Sequence, residues 1–210
     1  MEPVEGSHEH SDYIGAKIGM WLFLFTEVLL FGGLFLCYAV YRHRYAQDFH
    51  SAAHELNAVL GCVNTLVLLT SSLTMALAIS ALQKNRPGLS RFYLWATIGC
   101  AVIFLGIKYV EWGAKIHHGI YPGSEHLMAN FNPGERLFFG LYFSMTGLHG
   151  LHVIIGGIVL LCVERIVAKL PRGEDPGESG TVTIIENAGL YWHLVDIIWV
   201  YLFPLYYLLT

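Results

Sequence analysis

The sequence predicts an all-α membrane protein, a bundle of five transmembrane helices. Three observations predict it. Charged residues are only 13% of the 210 residues, against 55% hydrophobic ones, whereas a soluble domain carries about 25% charged residues. The few charges are gathered in clusters, and five long apolar stretches lie between the clusters. A bilayer core about 30 Å thick needs about 20 predominantly apolar residues as helix, and each stretch reaches that length. This composition excludes an ordinary cytosolic globule and a disordered chain. Lys and Arg total 12 against 16 Asp and Glu, a net charge of −4, so no basic surface is available to meet nucleic-acid phosphates.

The first stretch, about 18–41, holds Glu27 as the only charge between Lys17 and Arg42. It is too long for a cleavable signal, and no small-residue cleavage site follows it. The second, about 57–82, has no charge between Glu55 and Lys84. The third, about 92–114, contains Lys108 and Glu111, three residues apart. The fourth, about 137–163, is free of charge between Arg136 and Glu164. The fifth, about 188–209, carries only Asp196 after Glu186. None alternates with period two, which argues against a membrane β-barrel. The links are short and marked by turn formers: Asn85-Arg86-Pro87-Gly88, Tyr121-Pro122-Gly123-Ser124, Asn132-Pro133-Gly134 and Pro171-Arg172-Gly173. Residues 1–15 read as a polar N-terminal tail and 16–210 as a single five-helix domain. His8 and His10 lie in that tail among Glu2, Glu5, Glu9 and Asp12, without a third close ligand to fix a metal geometry.

Cys37, Cys62, Cys100 and Cys162 fall one per span in the first four spans. They lack the paired spacing of a disulfide framework or zinc site and are expected to behave as small buried hydrophobes. Basic residues set the expected orientation. Lys17, Lys84, Arg86, Arg91, Arg165, Lys169 and Arg172 share the side of the N-terminus, against Arg42, Arg44, Lys115 and Arg136 on the other. The positive-inside rule then puts the N-terminus in the cytoplasm and the C-terminus outside, with the acidic Glu174, Asp175 and Glu178 weighing little.

Ionisable side chains within spans cost about 2.5–3.5 kcal/mol each on insertion scales, so each needs a reason. Glu27 sits near mid-membrane with no basic residue within a turn or two, and is expected to carry a proton there. It reads either as a proton-linked carboxyl or as a neutral acid bonded to a backbone carbonyl or hydroxyl. Lys108 and Glu111 lie on one helix face and read as an interfacial ion pair. His149 and His152 are three apart near the middle of the fourth span, beside the small residues Gly147 and Gly150. His193 and Asp196 share that spacing on the fifth and are expected to pair. A haem held by His149 and His193 is the metal-centred alternative; histidines that hydrogen-bond between helices are the simpler one. No Gly-x-Ser-x-Gly, His-Glu-x-x-His or phosphate-cradling glycine loop is present, so catalytic residues are not expected.

The last span, Tyr191-Trp192-His193-Leu194-Val195-Asp196-Ile197-Ile198-Trp199, resembles the Tyr-Trp-His-Phe-Val-Asp-Val-Val-Trp motif of subunit III of the haem-copper respiratory oxidases. Thr146-Gly147-Leu148-His149-Gly150-Leu151-His152-Val153 is similar to that family's Thr-Gly-x-His-Gly-x-His-Val. Asn64-Thr65, Leu68-Leu69, Ser71-Ser72 and Thr74 of the second span, and Tyr109-Val110-Glu111-Trp112 of the third, follow in the family's order. Glu27, preceded by Thr26, falls on its intramembrane carboxyl position. Five motifs in order cover nearly the whole chain.

The resemblance implies an accessory subunit of aerobic respiration without haem or copper of its own; those cofactors belong to partner subunits. It would pack on the catalytic subunit I, alongside subunit II and, where present, a small subunit IV. It would sustain proton uptake and stability during oxygen reduction and proton pumping, with bound phospholipid between its helices. By position, Glu27, Glu111, His149, His152, His193 and Asp196 form the buried polar frame, proton-linked or lipid-contacting. The long form has seven spans around a lipid-filled cleft. Five spans match the short bacterial form, which implies a bacterial plasma (inner) membrane. Cytochrome c is the expected electron donor. A quinol oxidase or nitric oxide reductase component, or a free-standing proton carrier, are the alternatives.

Overall fold

A computed structural model describes the backbone of residues 6–170 and 180–208, with side chains from residue 15 onward. The tail side chains of His8, His10, Glu9 and Asp12, together with Glu2, Glu5, Arg172, Glu174, Asp175 and Glu178, lie outside the described residues. The described chain is all helix and turn. In order, the elements are α1 (Gly6–Arg44), α2 (Ala46–Ala53), α3 (Ala58–Gln83), α4 (Pro87–His117), α5 (Glu125–Asn130), α6 (Pro133–Ala168) and α7 (Thr181–Tyr207). Five of them are long and apolar enough to cross a membrane: α1, α3, α4, α6 and α7. The helix of α1 begins well before the expected start of its span, at Gly6.

Helix ends follow local chemistry. Asn57 caps α3 by accepting from the Val59 and Leu60 amides at 3.0 and 3.2 Å. The turn between α3 and α4 is tight because Asn85 adopts a left-handed φ of 55°, which asparagine tolerates better than most residues. Pro87 then opens α4 at a position where its missing N–H costs nothing. Pro133 does the same for α6, while the Glu135 side chain accepts the Asn132 amide at 2.8 Å.

α3, α4, α6 and α7 pack around a common core, with contacts between α3 and α4, α4 and α6, α6 and α7, and α7 and α3. α1 lies outside that group, against α6 and α7. Only 11% of its most apolar window is buried, against 50% for α7, so α1 presents most of its surface to lipid or to another chain. At one end of the bundle Lys17 meets Glu186 at 3.1 Å and Arg91 meets Glu164 at 2.8 Å, tying α1 to α7 and α4 to α6.

Two short helices were not legible as elements. In α2, Phe49, Ala52 and Ala53 are buried at helical spacing, and Phe49 packs edge-on against Tyr38 and Phe138. Asp48 accepts the Gly134 amide at 3.2 Å, so α2 bridges α1 and α6. In α5, Ser124 accepts the Leu127 amide at 3.1 Å. The cysteines also depart from expectation: Cys37, Cys62 and Cys162 are exposed and Cys100 is half-buried. In a bilayer the outer surface meets acyl chains, so a small apolar thiol gains nothing by facing inward.

Candidate functional site

The polar groups of the spans assemble into three sets. The first joins α4, α6 and α7. Lys108 Nζ donates to Glu111 Oε2 at 2.9 Å, to the Tyr207 hydroxyl at 2.8 Å and to the Tyr142 hydroxyl at 3.2 Å. The two tyrosine hydroxyls in turn donate to Glu111 Oε1, at 2.9 Å from Tyr142 and 2.6 Å from Tyr207. The ammonium also lies 5.0 Å from the Trp199 ring centroid. All three ammonium hydrogens and both carboxylate oxygens are thus engaged. The two residues, three apart on α4, are 7% and 5% exposed inside the bundle. Two turns along α4, Lys115 is also buried and donates to the Glu55 carbonyl at 2.9 Å.

The second set joins α1 to α6. His152 Nε2 lies 2.7 Å from Glu27 Oε2, and its Nδ1 lies 2.8 Å from the Leu148 carbonyl. A carbonyl only accepts, so Nδ1 carries a hydrogen. One further proton then serves the contact, sitting on Glu27 as an acid or on His152 as an imidazolium, and the pair is neutral either way. Glu27 is therefore not isolated; its partner lies 125 residues away, beyond the reach of local spacing.

The third set joins α3 to α7. His193 Nδ1 contacts Ser72 Oγ at 2.7 Å. The expected His193–Asp196 pair does not form. Ser72 lies beside Asp196 as well, yet neither buried carboxylate oxygen of Asp196 meets a hydrogen-bond partner. The same helix contact engages two tryptophans. Trp192 Nε1 donates to Ser71 Oγ at 2.9 Å and Trp199 Nε1 to Thr65 Oγ1 at 3.1 Å. Thr74 and Thr97 hydroxyls meet at 2.8 Å across α3 and α4. The run of hydroxyls in the second span was the available signal for these contacts.

His149 joins none of these sets. It is fully buried against Phe104 and Trp199, with ring centroids at 5.4 and 5.3 Å, and both its nitrogens lack hydrogen-bond partners. Among the described residues no group of three His, Cys, Asp or Glu side chains converges on a metal-sized point. What the three sets do chemically is satisfy polar side chains by hydrogen bonds between helices.

The family model described as cytochrome c oxidase subunit III matches residues 1–210. The chain belongs to the cytochrome c oxidase subunit III family. It is 32% identical to cytochrome c oxidase subunit 3 of Thermostichus vulcanus over 209 residues, covering 99% of this chain and 92% of that relative. It is 28% identical to a probable quinol oxidase subunit 3 of Staphylococcus epidermidis over 195 residues, 92% of this chain and 88% of that protein. A heme-copper oxidase subunit I+III of Aeropyrum pernix is 30% identical over 216 residues, 99% of this chain but 24% of the fused protein. This subunit III is thus a membrane subunit of a haem-copper oxidase, its helices joined by an internal polar frame.

Proposed function

We propose that this chain is the accessory, cofactor-free subunit III of a cytochrome c oxidase, packed on the catalytic subunit I and supporting its stability and proton uptake. The observation that carries the reading is the closed Lys108–Glu111–Tyr142–Tyr207 network. Its donors and acceptors are spent on partners within the same chain, on α4, α6 and α7, which suits a scaffold rather than a reaction centre. The Glu27–His152 pair holds one exchangeable proton at the edge of the bundle, with side chains 14% and 10% exposed, and is the group best placed to couple to proton uptake nearby. Haem and copper belong to partner subunits, with subunit II and, where present, a small subunit IV completing the complex. A fused relative that carries subunits I and III in one polypeptide supports direct contact with subunit I.

The membrane is a bacterial plasma membrane, with the N-terminus cytoplasmic and the C-terminus periplasmic, on the strength of the basic-residue asymmetry. Residues 1–15 serve as a polar tail to a single domain over 16–210. An open apolar groove of about 650 Å³ between α4 and α6, with Gly147 and Gly150 in its wall, suits a phospholipid acyl chain. A quinol as electron donor is the second reading, favoured by relatives named quinol oxidase subunit 3 at 28–29% identity, close to the 32% of the cytochrome c oxidase subunits.

Affinity purification of the tagged chain from its native membranes in mild detergent tests the reading. A haem-containing subunit is expected to co-purify, and the complex is expected to oxidise reduced cytochrome c in preference to a quinol. A chain that never carries haem with it overturns the assignment; oxidation of quinol alone replaces the donor.

A further inference from the structure

At the C-terminal end of α2 two histidines face one another on the outer surface of the protein. His50 and His54 are both exposed, four residues apart, and their rings stand at 84° with centroids 4.8 Å apart. Their Nε2 atoms are 3.4 Å apart. As a hydrogen bond this is poor, beyond the ~3.2 Å at which such bonds usually end. As the bite of a chelate it is well matched. Two imidazole nitrogens bound at ~2.0–2.1 Å to one tetrahedral zinc ion sit roughly 3.3–3.4 Å apart. A square-planar ion such as Cu(II), with ligands at ~90° and similar bond lengths, would need them to close to roughly 2.9 Å.

We propose that His50 and His54 form a two-histidine site for a divalent metal ion of tetrahedral preference, zinc being the best match. The two rings meet through Nε2, the atom a helical His-x-x-x-His pair offers to zinc. The glutamate that follows the first histidine in zinc hydrolases is absent, because Ser51 stands there, so the site binds metal without hydrolytic chemistry.

The backbone beneath the pair is held still. Phe49 is fully buried between Tyr38 and Phe138, and Asp48 takes the Gly134 amide, so the turn bearing His50 is clamped to α1 and α6. His54 keeps helical dihedrals, φ −62° and ψ −23°, which carries the helix geometry through the second ligand. A pair aligned before the ion arrives loses little conformational freedom on binding. The bound ion would staple the last turn of α2, the element that bridges α1 and α6.

The test titrates zinc into the full-length chain, purified in detergent without a polyhistidine tag and stripped of metal. Calorimetry and zinc-edge X-ray absorption are the readouts. His50→Ala and His54→Ala are each expected to weaken zinc binding roughly tenfold or more. The double variant should bind no more than a few-fold more weakly than either single one, since either loss breaks the same chelate. The wild-type spectrum should show two imidazole nitrogens and oxygen ligands. His118→Ala, a control elsewhere on the surface, should bind zinc as the wild type does. Circular dichroism of each variant confirms that it has folded, as expected at exposed positions. Zinc binding unchanged in folded His54→Ala, loss of binding in His118→Ala alone, or no zinc binding by the wild-type chain would each overturn the proposal.

Discussion

Removing Glu111 or Lys108 alone should damage this protein, and removing both should damage it little. In Glu111→Leu the Lys108 ammonium loses the only anion among the described residues in contact with it, 2.9 Å away, and remains inside the bundle. Breaking a buried ion pair from one side costs about 3–5 kcal/mol. In Lys108→Met the carboxylate keeps the Tyr142 and Tyr207 hydroxyls, at 2.9 and 2.6 Å, as donors. Lys108 likewise keeps both hydroxyls in Glu111→Leu, at 3.2 and 2.8 Å, so a cost on the same scale of about 3–5 kcal/mol is expected for either single variant. The double variant Lys108→Met/Glu111→Leu removes both charges of the pair, and the two hydroxyls, already 3.2 Å apart, can bond each other. It should lie within about 2 kcal/mol of the wild type, since apolar replacement of a buried pair is often near neutral.

The assay is a double-mutant cycle on the detergent-solubilised chain, followed by thermal melting and by denaturant titration. At the ~2–4 °C per kcal/mol typical of domains this size, Glu111→Leu should lower the melting midpoint by about 6–20 °C. The coupling energy should exceed about 2 kcal/mol. If either single variant melts like the wild type, the pair is not held inside the bundle. If the two losses simply add, the closed network is not a unit.

Three further outcomes follow from the same geometry. Glu27→Gln keeps a neutral polar partner for His152 and should leave the yield of haem-containing complex unchanged; Glu27→Lys sets a cation in its place, at about 2.5–3.5 kcal/mol on insertion scales, and should cut that yield, so normal assembly of the lysine variant counts against the contact. Ser72→Ala strips His193 of its 2.7 Å partner and should cost about 1–3 kcal/mol, while Asp196→Asn, at a carboxyl with no hydrogen bond to lose, should shift stability by less than about 1 kcal/mol; melting curves in the reverse order would restore the His193–Asp196 pair. A methyl group at Gly156 would lie 2.8 Å from two Trp192 ring carbons and 3.1 Å from Tyr191, so Gly156→Ala should lose about 1–3 kcal/mol, less up to ~1 kcal/mol of helix propensity. Gly157→Ala, with nothing within 4 Å, is the control, and equal melting of the two variants would refute the close approach of α6 and α7.

The limits of sequence reading are visible in particular residues. Phe49, Ala52 and Ala53 make α2 a helix through their burial against α1 and α6, but eight residues offer too short a pattern to stand out from a loop. Lys108 and Glu111 share a face by their spacing, but the tyrosines that complete their network lie on α6 and α7, beyond that spacing. His193 and Asp196 had the same spacing and did not pair, because a hydroxyl on α3 took the histidine first. Spacing along one helix says which groups share a face, and only the neighbouring helix says which of them is used.

By itself, the sequence determined the five spans and the family. A helix in lipid satisfies its own backbone hydrogen bonds, so the capacity to span is a local property, written in the lengths of charge-free stretches. Tertiary structure decided the partners of the polar side chains. Glu27 meets His152 across 125 residues, His193 meets Ser72 across 121, and Lys108 meets Tyr207 across 99. Each contact depends on the rotation and depth of two helices together. Those are set by packing, such as Trp192 over the bare Cα of Gly156, and no stretch of sequence contains both sides of that fit.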